Sequence, residues 1–238
     1  MSNGVRFSLG FPPMVPLNPD ILLINAIWVL IELQIYFKFL HFLYLYAMTM
    51  SIWSSLLAKD QALFTSINSS WTHSFLDHVL PWCRNAQNWY PFYAILLVYL
   101  FIRWGKATWK WLLFAIINLT LTDQISSSIF KPLVHRLRPC ADPLMAGKVR
   151  LLLDHCSGGF SFTSSHAANH FGLAMFIFIS LTPVFKKYTW LFFLWAGVIA
   201  YAQIYVGVHY PLDVLAGAMI GLVVGKLNGM VFKKFQHA

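Results

Sequence analysis

The 238 residues predict an all-α fold, a polytopic membrane helical bundle with five core transmembrane helices, an interfacial amphipathic helix and, as an open alternative, a sixth N-terminal helix. Three observations lead there. Apolar residues make up 58% of the chain and charged ones only 11%, whereas about a quarter of the residues in soluble domains are charged. The apolar residues fall in runs near the roughly 20 that a helix needs to cross a bilayer. No period-two alternation accompanies these runs, and a helix satisfies its own backbone in lipid, which disfavours a barrel.

The elements follow in chain order. Residues 1–50 form an N-terminal segment and residues 51–238 the membrane domain. Ile21 to Met48 is apolar enough to span, yet it carries Glu32, Lys38 and His41. It follows a Pro-rich head with no small-residue cleavage site, which argues against a cleavable signal peptide. Two readings stay open: an extra transmembrane helix, or an upstream extension of a reading frame that starts at Met48 or Met50. Ser51 to Asn68 sets Trp53, Leu56, Leu57, Leu63, Phe64 and Ile67 mostly on one helical face, with Lys59 and Asp60 on another. That is the pattern of a helix lying in the membrane interface. Five spans come next: Trp89 to Ile102, Trp109 to Phe130, Ser164 to Phe185, Tyr188 to Val206, and Pro211 to Phe232. The first is short unless Pro91 and Trp104 sit in the interface.

Charge sets the orientation. Arg103, Lys106 and Lys110 separate the first two spans, Lys186 and Lys187 the third and fourth, and Lys226, Lys233 and Lys234 lie at the end of the fifth. Positive residues in short loops mark the cytoplasmic side. The loop from Lys131 to Phe162 and the turn at His209 then face the opposite side, the periplasm if the membrane is a bacterial inner membrane. The net charge of +9 lies mostly between apolar stretches, where topology and anionic headgroups account for it. No nucleic-acid partner is expected; the bilayer is one, and the oligomeric state stays open.

Three clusters of cations and histidines therefore share one membrane face: Lys131 to Pro139, Thr163 to His166, and Val208 to Asp213. In so apolar a chain they suggest a site for a phosphorylated lipid. Lys131, six residues, Arg138-Pro139; Ser164-Ser165-His166; and His209, three residues, Asp213 together resemble the three-part signature of the type 2 phosphatidic acid phosphatase superfamily, in its membrane lipid phosphatase branch. Thr163 and Ser165 stand where many relatives carry proline and glycine.

Each piece has a physical role beside what the resemblance implies. Lys131 and Arg138 end a membrane helix, where cations are favoured and a guanidinium can hold phosphate in bidentate fashion. Thr163 or Ser164 suits the N-cap of the following helix, whose free N–H groups attract an anion. The resemblance makes Lys131, Arg138, Ser164 and Ser165 phosphate ligands and His166 the general acid. Asp213 can hold one ring nitrogen of His209 protonated and leave the other free as the nucleophile. His135 and Arg136 read as scaffold or headgroup contacts.

One departure matters for activity. Six residues before the nucleophilic histidine the family usually places an arginine; here Ala202 is followed by Gln203. Gln203 can donate a hydrogen bond to phosphate but supplies no charge, and a charge-assisted bond is worth about 1.5–3 kcal/mol against about 1 for a neutral one. Arg136, Lys148 and Arg150 are the candidates to compensate.

Cys140 and Cys156 flank the outer loop and are expected to form a disulfide, with Cys83 left as a small apolar residue. His73, His78, His155 and His170 read as structural, though His170 lies one turn from His166 and within reach of substrate. The nine histidines are scattered without metal-ligand spacing, so no metal and no cofactor are expected. Asp123, an acid within an apolar span, is expected to pair with Lys131, a neighbouring helix or a site residue. The resemblance implies metal-independent hydrolysis of a lipid phosphate or diphosphate through a phosphohistidine. It allows undecaprenyl diphosphate, phosphatidic acid, phosphatidylglycerophosphate or lipid A phosphate, with a prenyl diphosphate or glycerolipid phosphate favoured. A lipid phosphotransferase and a catalytically silent lipid-binding or transport relative remain as alternatives.

Overall fold

The computed structural model describes residues 19–236, with side chains from residue 34 onward. The Pro-rich head and the side chain of Glu32 lie outside the described residues. By internal contacts the chain divides into residues 1–56 and 57–238. The described part of the first unit is helical and belongs to α1 (Pro19–Thr65), where apolar side chains such as Phe37, Phe42 and Tyr44 are exposed. Such exposure suits residues that face acyl chains.

In the second unit α1 ends in a π-type turn, Ser66–Ser70. There follow α2 (Ser74–Arg84), α3 (Tyr90–Trp104), α4 (Ala107–Gln124), a further π-type turn at Ile125–Phe130, and the short α5 (Lys131–Val134). His135, with φ of 52°, stops α5 in the left-handed region. After the outer loop come α6 (Ser165–Phe185), α7 (Leu191–Tyr205) and α8 (Pro211–Gln236). No strand occurs among the described residues. The protein is an integral membrane protein of helical fold. Among the described residues four stretches are long and apolar enough to cross a bilayer, namely Gln34–Ser70, Ala107–Met145, Ser165–Tyr205 and Pro211–Gln236. The third holds both α6 and α7, and α3 with its 15 residues lies outside all four.

The predicted amphipathic helix differs from the expectation in its faces. Asp60, assigned to the polar face, is buried and lies on the same face as buried Phe64 and Ile67, four and seven residues further on. Trp53, Leu56 and Leu63 are the exposed ones. An ion pair draws the carboxylate inward, overriding the pattern read from hydrophobicity.

The tightest packing joins α6 and α8. Gly217, Gly221, Gly225 and Gly229 recur every fourth residue on α8 and so line one face. A methyl group on Gly217, Gly221 or Gly225 would stand 2.3 Å from the carbonyl oxygen of Ser164, Ala168 or Gly172 respectively. These contacts advance together along both helices, so α6 and α8 run parallel, backbone against backbone, as small residues permit in membranes. Their N-termini meet at one end, where Ser164 N–H donates to the Asp213 carbonyl at 2.9 Å. Two apolar clusters flank the contact. One, with Phe64, Leu80, Met145, Tyr205 and Tyr210, lies toward that end; the other gathers Leu100, Trp111, Phe176, Ile177, Leu181 and Phe232.

Replacing Gly221 by alanine is expected to lower the thermal midpoint in detergent, because overpacking typically costs about 1–3 kcal/mol and here the opposing atom is backbone. Gly197→Ala, with nothing within 4 Å of the new methyl, should leave the midpoint unchanged. Equal midpoints for the two variants would contradict the close α6–α8 contact.

Candidate active site

The parallel packing of α6 and α8 sets the N-cap of one helix beside the entry turn of the other. Ser164 caps α6, its hydroxyl accepting from Ala167 N–H at 3.4 Å. Ser165 Oγ lies 3.0 Å from Ser126 Oγ, which is 3.0 Å from Thr163 Oγ1, so hydroxyls tie the α6 N-terminus to α4's continuation. His166 is half-buried on the first turn, and its carbonyl accepts from His170 Nδ1 at 2.8 Å.

His209 stands between α7 and α8, 2% exposed. The Gln203 carbonyl, at the end of α7, accepts from both Val208 and His209 N–H at 3.2 Å, which holds the turn. Arg138 Nη1 lies 3.1 Å from His209 Nε2. A guanidinium only donates, so Nε2 must accept, and the ring proton resides on Nδ1. That nitrogen faces Ser161 Oγ at 3.3 Å, and Ser161 in turn donates to Asp213 Oδ2. Asp213 Oδ2 itself stands 3.6 Å from Nδ1. The expected histidine–aspartate pair is thus linked through a serine hydroxyl that the sequence reading did not include.

Asp213 is buried and saturated with donors. Oδ2 also accepts from Tyr210 N–H at 2.8 Å, and Oδ1 from Arg136 Nη1 at 2.7 Å. The other arm of Arg136 reaches Asp60 Oδ2 at 2.5 Å, whose Oδ1 accepts from Leu212 N–H at 2.8 Å at the start of α8. The guanidinium also lies over the Tyr210 ring, 4.0 Å from its centre. Arg136 is therefore a half-buried bridge between two carboxylates 153 positions apart in sequence, consistent with the scaffold role expected of it.

The other cations divide by partner. Arg150 pairs with Asp77 at 2.7 Å, and that carboxyl is held below the usual range by hydrogen bonds from Tyr205 and Arg150. Lys148 is exposed on the loop. Arg138 makes no ion pair among the described residues; Gly159 and Val208 carbonyls receive its Nε and Nη1 at 3.3 Å. Lys131 opens α5 and is half-buried. Gln203 is fully buried, with Nε2 donating to the Ile199 carbonyl at 3.4 Å and Oε1 accepting from Arg84 Nε at 3.3 Å. The compensating cation looked for at Arg136, Lys148 or Arg150 is found at none of them: two are committed to carboxylates and the third stands in solvent. Arg84, which meets the Gln203 side chain, was not singled out from the sequence.

Cys140 and Cys156 are joined as a disulfide with Cα atoms 5.8 Å apart, and Cys83 is free and buried. Asp123 accepts from Ser127 at 3.3 Å and from Asn169 of α6 at 3.4 Å, so its partner is a neighbouring helix. It lines a cavity of about 570 Å³ between α3, α4 and α6, whose walls include Tyr93, Leu97, Trp111 and Leu173, with Asn169 and His170 among its polar residues. Among the described residues no group of three His, Cys, Asp or Glu side chains is placed to share a metal ion.

Burial, reinforced by the charges of Arg138 and Lys131, pushes the His209 ring down to about 4, against the raising effect of Asp213. Because the neutral form is the one favoured, the folded protein refuses a proton that the unfolded chain accepts below about 6.5. The His209 ¹⁵N signals, assigned by loss in His209→Gln, should titrate near pH 4; a midpoint at or above 6.5 would contradict the buried neutral ring. Arg136→Ala should destabilise by about 3–5 kcal/mol in denaturant unfolding, since it strands two buried carboxylates. A loss below about 1 kcal/mol would mean that Arg136 does not organise the turn.

Comparison with known proteins gives the family. Residues 108–235 match the PAP2 superfamily. Over 155 residues, 62% of the chain, it is 39% identical to the lipid A 4'-phosphatase of Bacteroides thetaiotaomicron, and the match covers 65% of that protein, just under two thirds of its length. Over 189 residues, 77% of this chain and 75% of the relative, it is 29% identical to the lipid A 4'-phosphatase of Porphyromonas gingivalis. The crystal structure of a transmembrane PAP2-type phosphatidylglycerolphosphate phosphatase from Bacillus subtilis superposes with a TM-score of 0.58, covering 76% of this chain and 87% of that one. At 22% identity that likeness is one of fold.

Proposed function

We propose, from the premise that this chain belongs to the PAP2 superfamily, that it is a membrane phosphatase hydrolysing a phosphorylated lipid through a phosphohistidine. The observation that carries the reading is the hydrogen-bond chain through His209. Arg138 donates to Nε2, and Nδ1 faces Ser161 and, through it, Asp213. A phosphoryl group entering the site would compete for the Arg138 donors and uncover the Nε2 lone pair at the phosphorus atom.

The steps balance without a cofactor. Arg138 and Lys131 offset the phosphoryl charge, Ser164 and Ser165 donate from the α6 N-terminus, and Gln203 holds Arg84 through its Oε1. His209 Nε2 forms a bond to phosphorus as the bond to the lipid oxygen breaks. His166 protonates that leaving oxygen. A water molecule then gives its proton to His166 and attacks phosphorus, the N–P bond breaks, and inorganic phosphate leaves neutral His209. Asp213, through Ser161, supports the positive charge that the ring carries meanwhile.

The substrate class follows from two supports. Two of the curated relatives bear the name lipid A 4'-phosphatase, so a phosphorylated glycolipid of that type is put forward ahead of a prenyl diphosphate or a glycerolipid phosphate. The cavity between α3, α4 and α6 has apolar walls suited to an acyl chain and polar residues suited to headgroup hydroxyls. The same reading places the protein in a bacterial inner membrane with the site toward the periplasm. Lysines and arginines at the far ends of the helices, Arg103, Lys106, Lys187 and Lys234 among them, support it.

Purified protein in detergent with chelator is expected to release inorganic phosphate from a phosphorylated lipid A-type glycolipid, in step with dephosphorylated lipid. His209→Ala should reduce the rate about a thousandfold or more. Activity abolished by chelator, or retained in His209→Ala, would overturn the mechanism. Dephosphorylated lipid formed without free phosphate would indicate transfer to another acceptor.

A further inference from the structure

We infer that Arg84, at the end of α2, is the cation that grips the phosphoryl group in place of the arginine replaced by Gln203. The chemistry rests on the phosphatase reading; the geometry stands apart from it. An arginine side chain continues two atoms beyond the point where a glutamine ends. The Arg84 Nε lies 3.3 Å from the end of Gln203, so its guanidinium occupies the region that an arginine at 203 would reach. The charge comes from a different helix and arrives at the same place.

Three further observations favour this assignment over an ordinary surface arginine. Arg84 is half-buried and makes no ion pair among the described residues, although Asp77 lies seven residues earlier on its own helix; Asp77 belongs to Arg150 instead. Arg84 and the proposed phosphate ligand Arg138 stand close enough for the charge of one to oppose that of the other. Burial and the charge of Arg138 both act against its charged form. Two cations crowded together without a carboxylate between them form a site that an anion relieves.

Gln203 takes on a specific role in this arrangement. Its amide N–H is tied to the Ile199 carbonyl, which turns Oε1 toward Arg84. It acts as a bracket, taking one donor of the guanidinium and leaving both Nη groups for phosphoryl oxygens. The bland alternative, a cation that merely caps the C-terminus of α2, predicts a loss of stability and no effect specific to phosphate.

The test is a set of variants at the two positions, read by kcat/KM for lipid phosphate release and by inorganic phosphate affinity in isothermal titration. Arg84→Gln should lower kcat/KM and phosphate affinity about 10- to 100-fold, the loss expected for one charge-assisted contact. Arg84→Gln combined with Gln203→Arg should restore most of that loss, a rescue that a helix-capping role would not produce. Arg103→Gln, at the opposite membrane face, should change neither readout. Wild-type kcat/KM and phosphate affinity in a folded Arg84→Gln variant, or a loss that Gln203→Arg leaves unrepaired, would overturn the inference. Should the native protein bind phosphate in an Arg84-dependent manner yet release none from any lipid, the phosphatase reading fails and the assignment of Arg84 stands.

Discussion

The close contact of α6 and α8 is the constraint on which the site depends. Three glycines spaced by four residues bring α8 so near that their missing side chains would meet α6 carbonyls at 2.3 Å. At that separation two parallel helices have little freedom to slide, since any shift by part of a turn drives a larger residue into backbone. The register fixes where the helices begin relative to one another. Ser164 and His166 therefore stand at the same level as His209 and Asp213, although more than 40 residues separate them in sequence.

Electrostatics then sorts the cations at that end by their partners. Arg136 is neutralised twice over by Asp60 and Asp213, and Arg150 once by Asp77. Those pairs organise the entry to α8 and the outer loop, and they leave no positive charge over for an anion. Arg138 and Arg84 are held by carbonyls and an amide, partners that orient a guanidinium without cancelling its charge. A site that must attract phosphate needs cations positioned in this second way. Placing them in a half-buried pocket costs stability, which the neutral state of His209 moderates by adding no further charge.

Much of the architecture was legible because lipid imposes a simple rule. Five apolar runs became α3, α4 with its π-type continuation, α6, α7 and α8, since backbone groups in a bilayer must pair within their own helix. Ser164 and His209 were legible for a local reason as well, one as an N-cap and the other just before Pro211. Asp60 was misread because periodicity scores polarity, while its burial comes from Arg136, 76 residues later. Ser161 carried no signal, as one serine among several in a polar loop.

The sequence by itself determined the membrane class, the apolar helices and the three clusters of cations and histidines. Each follows from local composition, spacing or topology. Only the tertiary structure decided which cations are free, that Ser161 links His209 to Asp213, and that Arg84 reaches the end of Gln203. Those outcomes depend on contacts between residues 48 to 119 positions apart, whose partners are chosen by helix packing and by competition for a few buried carboxylates.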